Sequence, residues 1–250
     1  MRTPEELVHS RARVRPRYAL MPLEGFPVSR LPSSPEAEVR VLASPALGAR
    51  FVEMLVDIPG GKSLRLSSQA DVENFYFVVS GRGKFRDRNS ANAVEPGSFG
   101  LLPPGTDFQF TAGESLRLLT LQKRYEPASG IEVFKSVHGQ ESKIEKKVWA
   151  DNPHSLLQTL IPDEIGFDLA MNIFTFDPGF GLPVVETHVM EHGLLFLQGK
   201  GLYYLGEEWM EVETDDFIWM GPYCPQSFCA TGPKASRYIY YKNVNREILV

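Results

Sequence analysis

Short apolar runs separated by glycine and proline make up most of this chain. RFVEMLVDI (50–58), ENFYFVVSG (73–81), SLRLLTLQK (115–123), LAMNIFTF (169–176), GLLFLQGKGLYYL (193–205), DFIWM (216–220) and RYIYYK (237–242) are rich in branched and aromatic residues, as strands are. The 21 glycines and 19 prolines punctuate them. Segments with a helical period are scarce, and HSLLQTLI, His154 to Ile161, is a candidate short helix. The pattern predicts an all-β chain with few short helices.

The strands also recur. Gly81 and Gly83 of FYFVVSGRGKF are matched by Gly199 and Gly201 of GLLFLQGKGLYYL, each 118 positions later. PGSFGLLPPG (96–105) falls on TDDFIWMGPY (214–223), and Gly48 falls on Gly166, at the same spacing of 118; only around IPGG and DPGF does it slip by one. A spacing shared by several segments marks a tandem duplication. The polar, charged stretch from Tyr125 to Asn152 serves as a joint. The expected organisation is a first domain over 1–124, a joint over 125–152 and a second domain over 153–250, each half long enough to hold its own core.

Charge narrows the partners. A net charge of −5 argues against a nucleic-acid surface. RARVRPRY (Arg11 to Tyr18) is a local basic exception, expected as a solvated arm or the polar face of a strand. Glu5 and Glu6 just before it argue against a targeting peptide. No apolar run approaches the ~18 residues of a membrane span, and no signal peptide is visible. The 2 cysteines, Cys224 and Cys229, are too few for a disulfide framework, so they are expected as free thiols in a reducing, cytoplasmic compartment.

The densest chemistry lies in ETHVMEHG, Glu186 to Gly193, with two glutamates and two histidines. Its surroundings, a strand, a Gly-ended hairpin strand, a Pro/Gly turn and another strand, resemble the cupin pattern. Cupins are small antiparallel jelly-roll barrels, and two in tandem make a bicupin, the fold expected here. The cupin motifs imply metal ligands at Glu186, His188 and His192, with Gln226 at the place that usually holds a last histidine. The order Glu, His, His departs from the usual His, His, Glu. On a regular strand, residues two apart share a face, so Glu186 and His188 would both enter the barrel. Two imidazoles, a carboxylate and an amide oxygen suit Mn(II) or Fe(II), and Zn(II) less exclusively.

A histidine on an apolar strand is more often a packed core residue than a ligand, but here a whole spaced set is present. Glu191 has the opposite parity and no place in the motif, so it is expected to face solvent. His9, His138 and His154 fall in arm or joint segments and are expected as surface residues. Moving back 118 positions from the four ligands gives Ser68, Ala70, Asn74 and Phe108. Alanine and phenylalanine cannot coordinate, so the first barrel is expected to be metal-free, with Phe108 filling the space.

A narrower resemblance rests on Glu-x-His-x3-His at 186–192, the pair Pro225-Gln226, and Tyr238-x3-Lys242 followed by NVNR. These look like the (S)-ureidoglycine aminohydrolases, bicupin enzymes of purine and allantoin breakdown. YALMPLEG and LASPALGARFVEML extend the likeness weakly into the first half. The resemblance implies a manganese hydrolase that releases ammonia from (S)-ureidoglycine to give (S)-ureidoglycolate. It places metal on Glu186, His188, His192 and Gln226, and substrate on Tyr203, Tyr238 and Lys242. Lys242 is a sound carboxylate partner, and Tyr238 shares its strand parity. Glu186 and Lys242 are the expected catalytic pair, with Glu186 able to move protons. A homo-oligomer is expected, associating through sheet edges. The competing readings are another metal-dependent cupin enzyme, such as a dioxygenase or isomerase, and a non-catalytic small-molecule-binding bicupin. Gln226 weakens the first, and the cost of burying unused polar ligands weakens the second.

Overall fold

The computed structural model describes residues 11–243. They form two compact units, one of residues 27–143, the other of residues 11–26 together with 144–243. Both are built almost wholly of antiparallel strands, interrupted by two short 3-10 turns, Leu23–Gly25 and Glu141–Lys143.

In the 27–143 unit the strands run in the order Val137–Gln140, Ser98–Leu102, Val72–Arg86, Phe108–Arg124, Phe51–Pro59, Ser34–Ala43 and Ser29–Leu31. Ser63–Leu66 adds to Phe108–Arg124, and Ala91–Val94 to Val72–Arg86. The long central pair breaks register between Ala112 and Leu116 and again between Arg117 and Leu118, which lets it curve around the core. Alternation then decides what is inside. Met54, Val56 and Ile58 point into a cluster with Val78, Phe85, Phe110 and Leu118.

In the other unit an eight-stranded sheet runs Arg13–Arg15, Tyr18–Met21, Phe217–Met220, His192–Gln198, Ser236–Lys242, Ala170–Phe176, Asn152–Thr159 and Lys147–Trp149. A three-stranded sheet runs Glu208–Glu213, Lys200–Leu205 and Gln226–Ala230. Phe174, Phe196 and Tyr238 from the first meet Tyr203 and Phe228 from the second in one core. The all-β expectation of two jelly-roll barrels holds.

The duplication is visible in the strand register. Phe77 lies opposite Phe99 as Leu195 lies opposite Phe217, and Gly83 opposite Val94 as Gly201 opposite Val212. Gly81 and Gly199 take the same left-handed conformation, φ 83° and 85°. A side chain at Gly199 would meet the Ala235 carbonyl oxygen at 2.8 Å, so glycine is required by both conformation and space.

Three expectations are corrected. Residues 11–26 do not belong with the first barrel: Tyr18–Met21 pairs with Phe217–Met220, because the apolar Tyr18, Ala19 and Leu20 are buried there. Arg11 closes the arm onto Glu213 and Asp216, and Arg13–Arg15 forms a strand. The 125–152 joint is divided between the units and carries strands of its own, Val137–Gln140 and Lys147–Trp149. HSLLQTLI is no helix; its first six residues lie in the strand Asn152–Thr159, laddered between two others, where pairing outweighs local propensity.

One buried acid stands out in the 27–143 unit. Glu53 lies on Phe51–Pro59, on the face opposite Met54 and Val56, fully buried. Neither carboxyl oxygen has a hydrogen-bond partner among the described residues. Burial pushes its pKa from 4.5 up to about 8. The folded state therefore keeps a proton that the unfolded chain gives up above pH 4.5, and stability falls as pH rises from there toward 8. Glu53→Gln should raise the melting temperature at pH 8 by at least ~3 °C in calorimetry, with the gain shrinking toward pH 5. Equal melting at pH 8 would show that this carboxyl carries no such burden.

Candidate functional site

A cavity of about 160 Å³ opens inside the unit that contains residues 144–243. Its wall brings together all seven residues singled out in the sequence: Glu186, His188, His192, Tyr203, Gln226, Tyr238 and Lys242. His192 opens the strand His192–Gln198 and lies opposite Lys242 on one side and Met220 on the other. Tyr238, Tyr240 and Lys242 line the cavity together because alternate residues of Ser236–Lys242 share a face. Tyr203 comes from Lys200–Leu205, whose neighbour Gln226–Ala230 starts with Gln226.

The regular strand expected at Glu186 and His188 is absent. Glu186 instead makes an isolated bridge with Gln226, the backbone N–H of each donating to the carbonyl of the other at 2.8 and 2.9 Å. The His188 carbonyl accepts from the Tyr223 N–H at 2.7 Å. Main-chain hydrogen bonds, rather than strand parity, turn both side chains inward. The bridge also places a carboxylate residue beside an amide residue from a distant part of the chain.

Hydrogen bonds define the imidazoles. His192 Nδ1 lies 2.8 Å from the Tyr241 carbonyl oxygen, which can only accept, so Nδ1 carries the proton and Nε2 carries a lone pair. That Nε2 faces His188 Nε2 at 3.3 Å. Burial, then neighbouring His188 and Lys242, hold the His192 pKa down at about 3. Burial and Lys242 likewise lower His188. Both rings are thus kept neutral, the form that binds metal, and the Tyr241 carbonyl orients His192 as second partners of ligating histidines do. Burial raises the pKa of Glu186, and it raises those of Tyr203 and Tyr238 well above the usual phenol value, with Glu186 adding to the rise. The two tyrosine hydroxyls are therefore donors at any physiological pH.

Two converging neutral imidazoles with a carboxylate residue on the same wall fit a divalent cation, whose charge would favour the ionised form of Glu186. Gln226 stands beside them but turns its nitrogen, at 3.1 Å, toward His188 Nε2; its oxygen accepts from the Tyr203 hydroxyl at 3.0 Å. Among the described residues no three His, Cys, Asp or Glu side chains are gathered closely enough to hold an ion as they stand.

The other unit provides an internal contrast, and its register corrects the simple subtraction of 118. Phe108 pairs with Leu66 as Gln226 bridges Glu186, so Leu66, not Ser68, occupies the place of Glu186. Ser68 then stands for His188, while Ala70 lies exposed outside the set. Asn74, opposite Leu102 and Gln122, stands for His192, and Gln122 for Lys242. These polar residues satisfy one another: Gln122 Nε2 donates to Asn74 Oδ1 and Asn74 Nδ2 donates to Ser68 Oγ, both at 2.9 Å. Phe108 is buried against Phe85 and Phe110.

Glu191 does not face solvent. It is 1% exposed, and the Trp219 indole N–H approaches its carboxylate at 3.5 Å. Opposite parity did keep it off the cavity wall, but that face of the sheet is buried as well. His138 Nδ1 meets the Tyr76 hydroxyl at 3.0 Å, and His154 pairs with Asp177 and stacks on Phe180. His9 lies outside the described residues. Tyr240 and Trp149 are among the cavity residues that the sequence reading did not single out. Tyr240 could have been found by its parity with Tyr238 and Lys242; Trp149, in the polar joint, carried no signal.

No family model matches the sequence. It is 32% identical over 250 residues to an (S)-ureidoglycine aminohydrolase of Escherichia coli K12, covering 98% of this chain and 95% of that protein. The chain belongs to the (S)-ureidoglycine aminohydrolase family. A second member, from Arabidopsis thaliana, is 33% identical over 93% of this chain and 77% of its own length. Among solved structures, protein Ylba from E. coli superposes with a TM-score of 0.86 at 30% identity over the full length of both chains. A putative glyoxylate-induced protein from Pseudomonas aeruginosa gives 0.87 at 30% identity, over 96% of this chain and 94% of that one. Bacillus subtilis oxalate decarboxylase, at 0.70 and 8% identity over 92% of this chain and 78% of that one, shares the bicupin fold alone.

The segment that carries Glu186 is anchored where it leaves the barrel. Gly181 bridges Cys229, and a β-carbon there would fall 1.8 Å from the Phe228 carbonyl oxygen. Backbone cannot yield cheaply, so Gly181→Ala should cost ~1–3 kcal/mol in urea unfolding. A variant as stable as the parent would show that this close approach does not hold the segment.

Proposed function

We propose that this protein is a metal-dependent hydrolase that removes the α-amino group of (S)-ureidoglycine as ammonia and leaves (S)-ureidoglycolate. The observation that carries the reading is the convergence of Glu186, His188, His192, Gln226, Tyr203, Tyr238 and Lys242 on one cavity. Its relatives bear that activity as their name. The cavity size agrees: pockets of ~150 Å³ admit a benzene-sized molecule, so about 160 Å³ suits a small amino-acid derivative and not a polymer.

Each residue has a task set by its chemistry. Lys242 receives the substrate carboxylate as a charge-assisted partner. Tyr203 and Tyr238, held protonated, donate hydrogen bonds that orient the substrate. Glu186 moves a proton at its carboxyl oxygen, taking one from the attacking water and returning one to the departing amine. A C–O bond forms as the C–N bond breaks, and ammonia leaves. His188, His192 and Glu186 are the residues that would hold the ion, with Gln226 once its amide turns over, which brings toward them the oxygen now accepting from Tyr203 and frees that hydroxyl for substrate. When bound there, Mn(II) supplies a Lewis acid and a template, roles that Fe(II) or Zn(II) could fill with the same donors. Both cysteines are free thiols, which suits a reducing compartment such as the cytoplasm.

Purified protein with Mn(II) should release ammonia from enzymatically generated (S)-ureidoglycine faster than it decomposes unaided, and should carry about one ion per chain. Glu186→Ala and His192→Ala should each lose the ion and slow release by ~100-fold or more. Metal-loaded protein that gives only the spontaneous rate would overturn the reading; comparing Mn, Fe and Zn then ranks the ions.

A further inference from the structure

A chain of hydrogen bonds with one direction of donation crosses the cavity wall. The Tyr203 hydroxyl donates to Gln226 Oε1 at 3.0 Å, and Gln226 Nε2 donates to His188 Nε2 at 3.1 Å. Tyr238 stands behind Tyr203. Burial dominates the pKa of both phenols, and the bond between them lowers Tyr203 and raises Tyr238, as it must when Tyr238 donates and Tyr203 accepts. The order of donation is therefore Tyr238, Tyr203, Gln226, His188. Both hydroxyl hydrogens are committed to protein atoms, and so is the lone pair of His188 Nε2. His192 Nε2, which also carries a lone pair, faces that atom at 3.3 Å with no hydrogen between them.

Only hydrogens and one amide in this chain are free to turn. Tyr203 is 1% exposed, with its ring packed among Phe196, Phe228 and Tyr238. The main chain of Gln226 is held by its bridge to Glu186. Its amide can turn over in place, because the two ends have nearly the same shape. Beside a cation the N–H end is repelled and the oxygen end attracted, so a loaded site requires the turned amide. Nε2 then donates to Tyr203, whose oxygen accepts twice, from Gln226 and from Tyr238, and both of its lone pairs are filled. The Tyr203 hydrogen is released from Gln226, and the cavity that Tyr203 lines is where an acceptor can meet it.

We infer that Gln226 is a switch coupling ion to substrate: turned one way its amide commits the Tyr203 hydroxyl to the protein, and turned the other way it offers that hydroxyl to a substrate oxygen. Ion and substrate thus reinforce each other's binding through Gln226, and Tyr203 is a substrate contact in the loaded site alone. The inference rests on the proposed function for the identity of the substrate.

Calorimetry with N-carbamoylglycine, which keeps the carboxylate and ureido groups and lacks the reacting amine, tests the switch without turnover. The probe Kd is measured with Mn(II) bound and after chelation, in the parent and in Tyr203→Phe, which keeps the ring and removes the hydroxyl. The substitution should weaken the probe about fivefold in the loaded protein and less than about twofold in the unloaded one. Because coupling is reciprocal, the same difference appears in the Mn(II) Kd measured with and without saturating probe, which reads the switch even where the unloaded protein holds the probe weakly. In Gln226→Glu both ends of the side chain are oxygen, so Tyr203 goes on donating to it with the ion bound. In that background Tyr203→Phe should change the probe Kd by less than about twofold in both states. An equal effect of Tyr203→Phe in both states of the parent, or no effect in either, would overturn the switch, as would a state-dependent effect that survives in Gln226→Glu. If the parent still releases ammonia, the functional reading then stands alone. A parent that shows the state-dependent effect and releases no ammonia keeps the switch and overturns the functional reading, and a parent that binds no ion overturns both.

Discussion

The antiparallel pairing of His192–Gln198 with Ser236–Lys242 decides what the cavity contains. In the observed register His192 faces Lys242, and Tyr238, Tyr240 and Lys242 point inward together. A slip of one residue would turn those three away and present Ile239 and Tyr241 instead, since side chains alternate with a period of two. The register is locked from both sides, by Phe217–Met220 against one edge of the His192 strand and Ala170–Phe176 against the far edge of the Lys242 strand. The Glu186–Gln226 bridge then adds the remaining polar residues without needing a strand at all. A few main-chain hydrogen bonds thus gather side chains from four separate segments onto one wall.

The two units show what the same framework does under different side chains. In the 27–143 unit the equivalent positions hold Leu66, Phe108, Phe85 and Leu118 as apolar filling, and Ser68, Asn74 and Gln122 as a closed chain of hydrogen bonds. Nothing in that chain requires a ligand. In the other unit two neutral imidazoles turn their Nε2 atoms toward each other, an arrangement that gains from a cation. Tyrosine replaces Phe85 and Leu118 as Tyr203 and Tyr238, adding hydroxyls to a wall that is otherwise equally aromatic. The strand pairings are shared and the side chains differ, apart from the two extra residues between Gly181 and Glu186.

Much of this was legible in the sequence because strands advertise themselves by alternation and turns by glycine and proline. The repeat was read correctly from Gly81 and Gly199, which are fixed by a backbone conformation that other residues resist. The misreadings share a cause, which is that local patterns do not report what lies across a sheet. Glu191 looked solvent-facing because its parity was wrong for the cavity, yet the outer face of its strand is buried too. His154 to Ile161 mimics a helical period but is held by ladders on both sides. The subtraction of 118 failed between Gly181 and Glu186 because two extra residues enter there, where no apolar pattern marks the register. Trp149 was invisible, since a polar joint gives no sign of folding back over a site.

Residues 11–26 give the domain that holds the cavity an unusual history during synthesis. Its strand Tyr18–Met21 leaves the ribosome long before its partner Phe217–Met220 exists. The intervening unit, 27–143, is continuous in sequence and can complete its own core first. The early strand must wait, with Tyr18 and Leu20 exposed, until the last quarter of the chain arrives. Pairing across so long a loop is slow and leaves an unpaired edge at risk of meeting another chain. An excised second half that begins after the joint would lack this strand and expose Phe217–Met220 permanently, so the smallest independent piece of this protein that can carry its chemistry includes both ends of the described chain.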